Sequence, residues 1–395
     1  MVLLLTLLLT AAVGGWAGAQ PSDRSSDDLQ LGCRDHNNQL VDWYVLYKLP
    51  KPKSQKSKEE FAGLSEEEKD FVREGSAYLH ISSASTKGPW SLSKVPIWDS
   101  NSHPGRTLEP VYNYGRRCLF YRFYNDHWPV DVNAHWDKGH TKGVLAYDGN
   151  YGFWMIHSVP KFPPAPKDGT GYSYASNGLR FGQSFLCISL KYLSEFNKII
   201  KQLQINEAFC YAWKDHDDDD DYVSLTVPRE GPCRLDRYGG RLHQKEDWAI
   251  QFIRGDMRIF AKSSSYHVDL YSDLVAPNLT TSLYAETWRA NLSSSCSGLY
   301  HVEDVRNVTV TTATGKFGFP STNDHSKWAV SKDRTKPWVC IGDLNRAVSQ
   351  MRRGGGTVCF RNYNLRDNFH DAVYVPNSER CPYHEMSIDN PELRL

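Results

Sequence analysis

Two stretches of this chain, GHTKGVLAYDGNYGFWMIHSV (139–159) and DHSKWAVSKDRTKPWVCIGDLN (324–345), follow one pattern 185 residues apart. Each carries His-x-Lys, as His140 and Lys142 in the first and His325 and Lys327 in the second. Each then has an aspartate eight residues beyond the histidine, Asp148 and Asp333, which opens a turn-like stretch ahead of a tryptophan-led apolar run. The pattern is strand, turn, strand, written twice. A duplicated unit assembling as a pseudo-symmetric pair accounts for it, and this limits the possible folds more than any other feature of the sequence.

Side chains at i and i+2 of a strand share a face, so each histidine lies beside its lysine. Brought together across a pseudo-two-fold axis, the four make a pocket of two imidazoles and two ammonium groups. A phosphodiester suits that pocket: one imidazole attacks phosphorus, the other protonates the departing oxygen, and the lysines hold the non-bridging oxygens. The two histidines then need opposite protonation states, which places maximal activity at mildly acid pH. The glycines flanking the first motif, Gly139 and Gly143, are expected to let a bulky backbone come close to His140.

The rest of the 395-residue chain is long enough for one large domain or two ordinary ones. Strand-like runs recur at 41–50, 117–124, 143–148, 152–159, 184–190, 222–227 and 247–253, and helical signals are confined to 190–204 and the region 343–351. The expected class is therefore α+β, or mixed α/β, with strands dominant. The charge-dense stretch 51–75 reads as a solvated loop or a short exposed helix, and the acidic run 216–221 as a solvated turn rather than a calcium loop.

Residues 1–19 read as a signal peptide ending in Ala17-Gly18-Ala19, and no later segment is apolar enough to span a membrane. The sequons at Asn278, Asn291 and Asn307 agree with a secretory route. Nine widely spaced cysteines without a C-x-x-C pair favour disulfides over a metal site, and the odd count leaves at least one thiol over. Lys plus Arg equals Asp plus Glu at 46 each, but 14 histidines make the chain cationic in an acidic compartment, as suits an anionic substrate handled at low pH.

The stretches VDWYVLYKLP, GHTKGVLAYDGNYGFWMIHSVPKFPP, FGQSFLCISL, STNDHSKWAVS, WVCIGDLNR and RGGGTVCF, in that order between about Cys33 and Cys381, closely resemble the deoxyribonuclease II family of the phospholipase D superfamily. The resemblance implies a pseudo-dimer of two strand-rich halves, about 33–215 and 222–381 within 20–395, sharing one central active site. It implies double-stranded DNA as substrate, no cofactor or divalent metal, a phosphohistidine intermediate, and 3′-phosphate and 5′-hydroxyl products. It carries over His140, Lys142, His325 and Lys327 as catalytic residues. His157, Ser158, Asn323, Asp343 and Asn345 follow as supporting residues, Gly342-Asp343-Leu344-Asn345 resembling the superfamily's Gly-Ser-x-Asn element. The superfamily's aspartate four residues beyond each lysine is absent; Asp148 and Asp333 stand six beyond. Cysteine placement suggests the pairs Cys33 with Cys187, Cys296 with Cys381 and Cys340 with Cys359, leaving Cys118, Cys210 and Cys233. The setting implied is lysosomal or secreted, with digestion of DNA from engulfed or apoptotic cells. A secreted nuclease toxin and another phosphodiesterase of the superfamily are the alternatives, and a monomer or a homodimer both suit two motifs on one chain.

Overall fold

The computed structural model describes residues 30–53, 63–85, 87–114, 120–129, 134–166, 171–214, 248–253, 255, 257–288 and 291–382. The expected signal peptide, the acidic run and the strand at 222–227 lie outside these residues. The fold belongs to the unit Leu31–Leu395.

After a short hairpin of β1 (Cys33–Arg34) and β2 (Leu40–Val41), the chain lays down β3 (Trp43–Lys48), helix α1 (Glu66–Glu74), β4 (Tyr78–Ser82) and β5 (Ser91–Leu92). Helix α2 (His103–Tyr114) and β6 (Phe120–Asn125) precede the meander β7 (Lys142–Tyr147), β8 (Gly152–His157) and β9 (Gln183–Leu190). Helix α3 (Leu193–Ile205) and β10 (Cys210–Lys214) complete this part. There follow β11 (Trp248–Phe252), β12 (Arg258–Lys262), helix α4 (Ala276–Leu279), β13 (Leu283–Thr287), β14 (Val302–Asp304), and the hairpin β15 (Asn307–Thr311) and β16 (Lys316–Pro320). A second meander, β17 (Lys327–Ser331), β18 (Trp338–Gly342) and β19 (Gly355–Arg361), carries helix α5 (Val348–Met351) before its third strand. Helix α6 (Tyr363–His370) and β20 (Val373–Tyr374) close the chain.

The strands form an eight-stranded sheet, β10-β6-β7-β8-β9-β3-β4-β5, and a seven-stranded sheet, β11-β12-β19-β18-β17-β13-β14. Read from the other edge, the second follows the same spatial plan about its meander. The plans part at the edges: β14 runs parallel to β13, whereas β10 runs antiparallel to β6. The protein is thus mixed α/β, rich in strands and with few helices.

Alternation along each strand builds the layers. In β3, Val45 and Tyr47 enter a central core with Trp154, Ile156 and Leu186 of the first sheet and Trp328, Val339 and Val358 of the second. Tyr44 and Leu46 face away, into an outer core with Leu108 and Val111 of α2. Ala329, Cys340 and Cys359 face the outer side of the second sheet. Between the sheets, Phe369 of α6 lies against both Tyr47 and Trp328. The charge-dense stretch supplies α1, started by a capping box in which Glu68 N–H donates to Ser65 Oγ at 3.2 Å and Ser65 N–H to Glu68 Oε2 at 2.8 Å.

Disulfides join Cys33 to Cys187, Cys296 to Cys381 and Cys340 to Cys359. Cys210 is also disulfide-bonded, while Cys118 and Cys233 lie outside the described residues. Of the sequons, Asn278 and Asn291 are exposed and Asn307 is half-buried at the start of β15.

The glycines around the site have a different purpose from the one expected. A Cβ on Gly139 or on Gly354 would run into the same carbonyl, that of Asn206 after α3, and one on Gly143 would meet the Tyr124 hydroxyl. They admit the protein's own elements rather than a substrate. Gly354→Ala is therefore expected to lower stability by about 1–3 kcal/mol through overpacking, read as a lower midpoint in thermal or denaturant unfolding.

Candidate active site

Each His-x-Lys leads into the first strand of its meander, and each is fastened to the other sheet. His140 N–H donates to Gly354 O at 2.8 Å, just ahead of β19, and His325 N–H donates to Gly182 O at 2.8 Å, just ahead of β9. The meanders repeat the arrangement one strand on: Ser158 N–H bonds Ser184 O at 3.1 Å, and Asp343 N–H bonds Gly356 O at 3.0 Å. Because Gly143 pairs with Ile156 and Trp328 with Ile341, His157 occupies the place of Gly342, and Ser158 that of Asp343.

The side chains around the two motifs differ. Lys142 is 4% exposed and its ammonium pairs with Asp126, whose other oxygen takes Arg353 Nη2 at 3.0 Å. Arg353 also donates to the Lys138 carbonyl at 2.8 Å and to that of His135 at 3.2 Å. Lys327 is 3% exposed and donates to the His325 carbonyl at 2.6 Å. The His325 ring is stacked on Phe181, 4.0 Å between centroids and 13° between planes, and Trp288 closes over it at 4.1 Å. Both histidines are half-buried as residues, and His325 Nε2 is itself buried.

His140 Nδ1 lies 2.7 Å from the Asp343 carbonyl. A carbonyl only accepts, so Nδ1 carries the hydrogen and the neutral ring keeps its lone pair on Nε2. Burial, reinforced by Lys142, holds the His140 imidazolium well below the usual histidine range, although Asp126 pulls the other way. Burial pushes Asp126 up, but Lys142, His140 and Arg353 outweigh it and keep this carboxylate below its ordinary range. Burial lowers Lys327 to about 7, with Lys142 adding to the effect. Burial also raises Asp343 to about 7, against the pull of Lys142 and Lys327. His140, Lys142, Lys327, Asp126 and Asp343 therefore act on one another as one electrostatic cluster.

The supporting residues fall into two groups. Ser158 is committed to the fold, its hydroxyl donating to Gln183 Oε1 at 2.6 Å and accepting from Ser184 N–H at 3.0 Å. His157 is buried against Phe162 and Phe185, with Nδ1 accepting from Val159 N–H at 3.2 Å. Yet His157 Nε2, Asn323 Oδ1, Asp343 Oδ1 and Asn345 Oδ1 are all buried without a hydrogen-bond partner in the protein. Such atoms need a polar partner that the protein does not supply. Asp126, Arg353, Phe181 and Trp288 were not singled out from the sequence. Asp126 follows a predicted strand and Arg353 opens the glycine run, but neither position reveals its partner.

Each sheet thus carries one His-x-Lys, and the lysines of both act on each other within one buried cluster. The chain belongs to the deoxyribonuclease II family, whose description, Deoxyribonuclease II, matches residues 32–378, and it is a DNA-cleaving hydrolase of that family. It is 36% identical over 356 residues to deoxyribonuclease-2-beta of Mus musculus, covering 86% of this chain and 90% of that protein. Plancitoxin-1 of Acanthaster planci is 36% identical over 356 residues, with 87% and 91% covered. Deoxyribonuclease-2-alpha of Mus musculus is 34% identical over 369 residues, with 91% and 93% covered. Among the described residues no helix is long and apolar enough to cross a membrane.

Asp126→Ala leaves Lys142 and Arg353 buried without their shared anion. A loss of about 3–5 kcal/mol is expected in denaturant unfolding, as when one partner of a buried ion pair is removed.

Proposed function

We propose that this chain is a metal-independent acid endodeoxyribonuclease working through a phosphohistidine, with the two strand-rich halves, about 33–215 and 222–381, forming a phospholipase D-like pseudo-dimer around one site. What supports the acid optimum is the burial of Lys142, Lys327 and Asp343 around one site, with Lys327 donating to a carbonyl rather than to a carboxylate. Below about pH 7 Lys327 keeps its charge and Asp343 is protonated, while His140 stays neutral to well below the usual histidine range. The site then holds two ammonium groups and one free imidazole. Above that pH Lys327 loses its proton and Asp343 gains a charge, so the site turns against a phosphate.

In this reading His140 Nε2 attacks phosphorus, forming the P–N bond as the bond to the 5′-oxygen breaks, and His325 gives that oxygen its proton. Water then attacks the phosphohistidine, with the now neutral His325 taking its proton, and releases the 3′-phosphate and free His140. Lys142 and Lys327 bind the non-bridging oxygens and stabilise the charge that builds on them, so the protein itself supplies the positive charge. Asp343 holds the His140 ring through its carbonyl, and Asp126 and Arg353 hold Lys142. His157, Asn323, Asp343 and Asn345 supply polar contacts to the substrate, whereas Ser158 shapes the turn beneath it. Residues 1–19 direct the chain to the secretory route, Asn278, Asn291 and Asn307 accept glycans, and the protein works in the lysosome. Its similarity to Plancitoxin-1, described as a toxin, favours secretion as the second reading.

Purified protein is expected to cut plasmid DNA at about pH 5 in EDTA. His140→Ala and His325→Ala should each cut activity at least about 1000-fold with unfolding midpoints retained. Undiminished cutting by either variant sinks the mechanism, and cutting that needs added metal sinks metal independence. In a second experiment, Lys327→Arg keeps its charge at all working pH values. The fall in kcat/KM above about pH 7 should then become shallower, since Asp343 and the proton donor still titrate, and an unchanged slope would assign it to those groups alone.

A further inference from the structure

On the outer face of the first sheet three histidines converge that the reaction does not use. His36 stands in the β1–β2 turn, His80 on β4 and His103 at the start of α2, and one ring nitrogen of each lies within 4.8 Å of the others. The ring centroids are 4.6 Å apart for His80 and His103, 5.3 Å for His36 and His103, and 5.4 Å for His36 and His80. His36 Nδ1 and His103 Nε2 are buried with no hydrogen-bond partner in the protein. Three imidazoles crowded together, two of them with a bare buried ring nitrogen, make a poor hydrophobic packing and a good ligand set.

The surroundings of His103 point the same way. Its Nδ1 lies 3.0 Å from the Tyr78 hydroxyl, which also accepts the His103 backbone N–H at 3.3 Å. A hydroxyl oxygen can accept both, and Nδ1–H donated to Tyr78 leaves the Nε2 lone pair free. This is how an oxygen behind a metal-bound imidazole fixes its tautomer. The Tyr44 ring, edge-on to His103 at 5.3 Å, holds the imidazole in place.

We propose that His36, His80 and His103 bind a divalent transition-metal ion of the zinc class, which clips the N-terminal hairpin to β4 and α2. Zinc–nitrogen bonds of about 2.0–2.1 Å put tetrahedral ligands about 3.4 Å apart. Small rotations of His36 and His80, both half-buried, close the present spacing onto fully buried His103, and their solvent side leaves a fourth position for water. The metal takes no part in DNA cleavage. Tyr44 and Tyr78, which support the cluster, belong to the outer core, on the face of the sheet turned away from the packing with the second sheet.

The test uses full-length protein stripped with EDTA, dialysed, and titrated with zinc chloride at about pH 7.5, where ordinary imidazoles are neutral. Calorimetry against a competing chromophoric chelator should give one ion per chain, cobalt should give the visible bands of a tetrahedral site, and zinc should raise the melting temperature. His36→Ala and His80→Ala, both away from the buried core, should each weaken binding more than about 100-fold, beyond the loss typical of a second-shell partner. They should cut DNA in EDTA as the parent does. A His140→Ala, His325→Ala double variant should bind zinc as the parent does. Absence of stoichiometric binding, equal binding by His36→Ala and His80→Ala, or loss of binding in the His140, His325 double variant would overturn the proposal.

Discussion

Two lysine side chains, Lys142 and Lys327, are buried within electrostatic reach of each other, and the rest of the site answers that fact. Removing an ammonium group from water is costly unless a paired, hydrogen-bonded anion replaces the lost hydration. Lys142 has that anion in Asp126, itself held by Arg353, so the pair is anchored from both halves of the chain. Lys327 is bound by a carbonyl, and burial, with Lys142 adding to it, lowers its pKa. The crossed bonds from His140 to Gly354 and from His325 to Gly182 tie the two motifs to the opposite sheets, so the lysines stay where they are buried.

The duplicated motif was legible because it is local: His, Lys, Asp and Trp sit within one hairpin, and Asp148 and Asp333 do open the turns, accepting from Tyr151 N–H at 2.7 Å and Thr335 N–H at 2.8 Å. The strands with long apolar runs, such as β3, β8 and β9, were legible for the same reason. Helix α2 was not, since Gly105 and Pro110 interrupt its pattern, and α6, YNLRDNFH, shows too short an apolar stripe. The disulfides followed from resemblance, and three of them stand as suggested. Asp126 stayed hidden because it reaches Lys142 through the pairing of β6 with β7, a register that no local pattern announces. The glycines misled for a related reason: the carbonyl that Gly139 and Gly354 accommodate belongs to Asn206, remote in sequence from both.

The two motifs are alike in sequence but not in their surroundings. The registers show where the copies diverged. Asn125 pairs with Lys142 and Thr287 with Lys327, so the next residues, Asp126 and Trp288, are counterparts. His157 pairs with Phe185 and Gly342 with Thr357, so Arg353 and Phe181, four residues ahead of the latter partners, are counterparts too. One motif is thus set among ions and the other between aromatic rings. The ionic side fixes Lys142 and, with burial, keeps His140 neutral with its Nε2 lone pair available. On the aromatic side His325 is stacked on Phe181, with the Trp288 ring tilted against it. The two motifs therefore differ in their neighbours rather than in the histidines themselves.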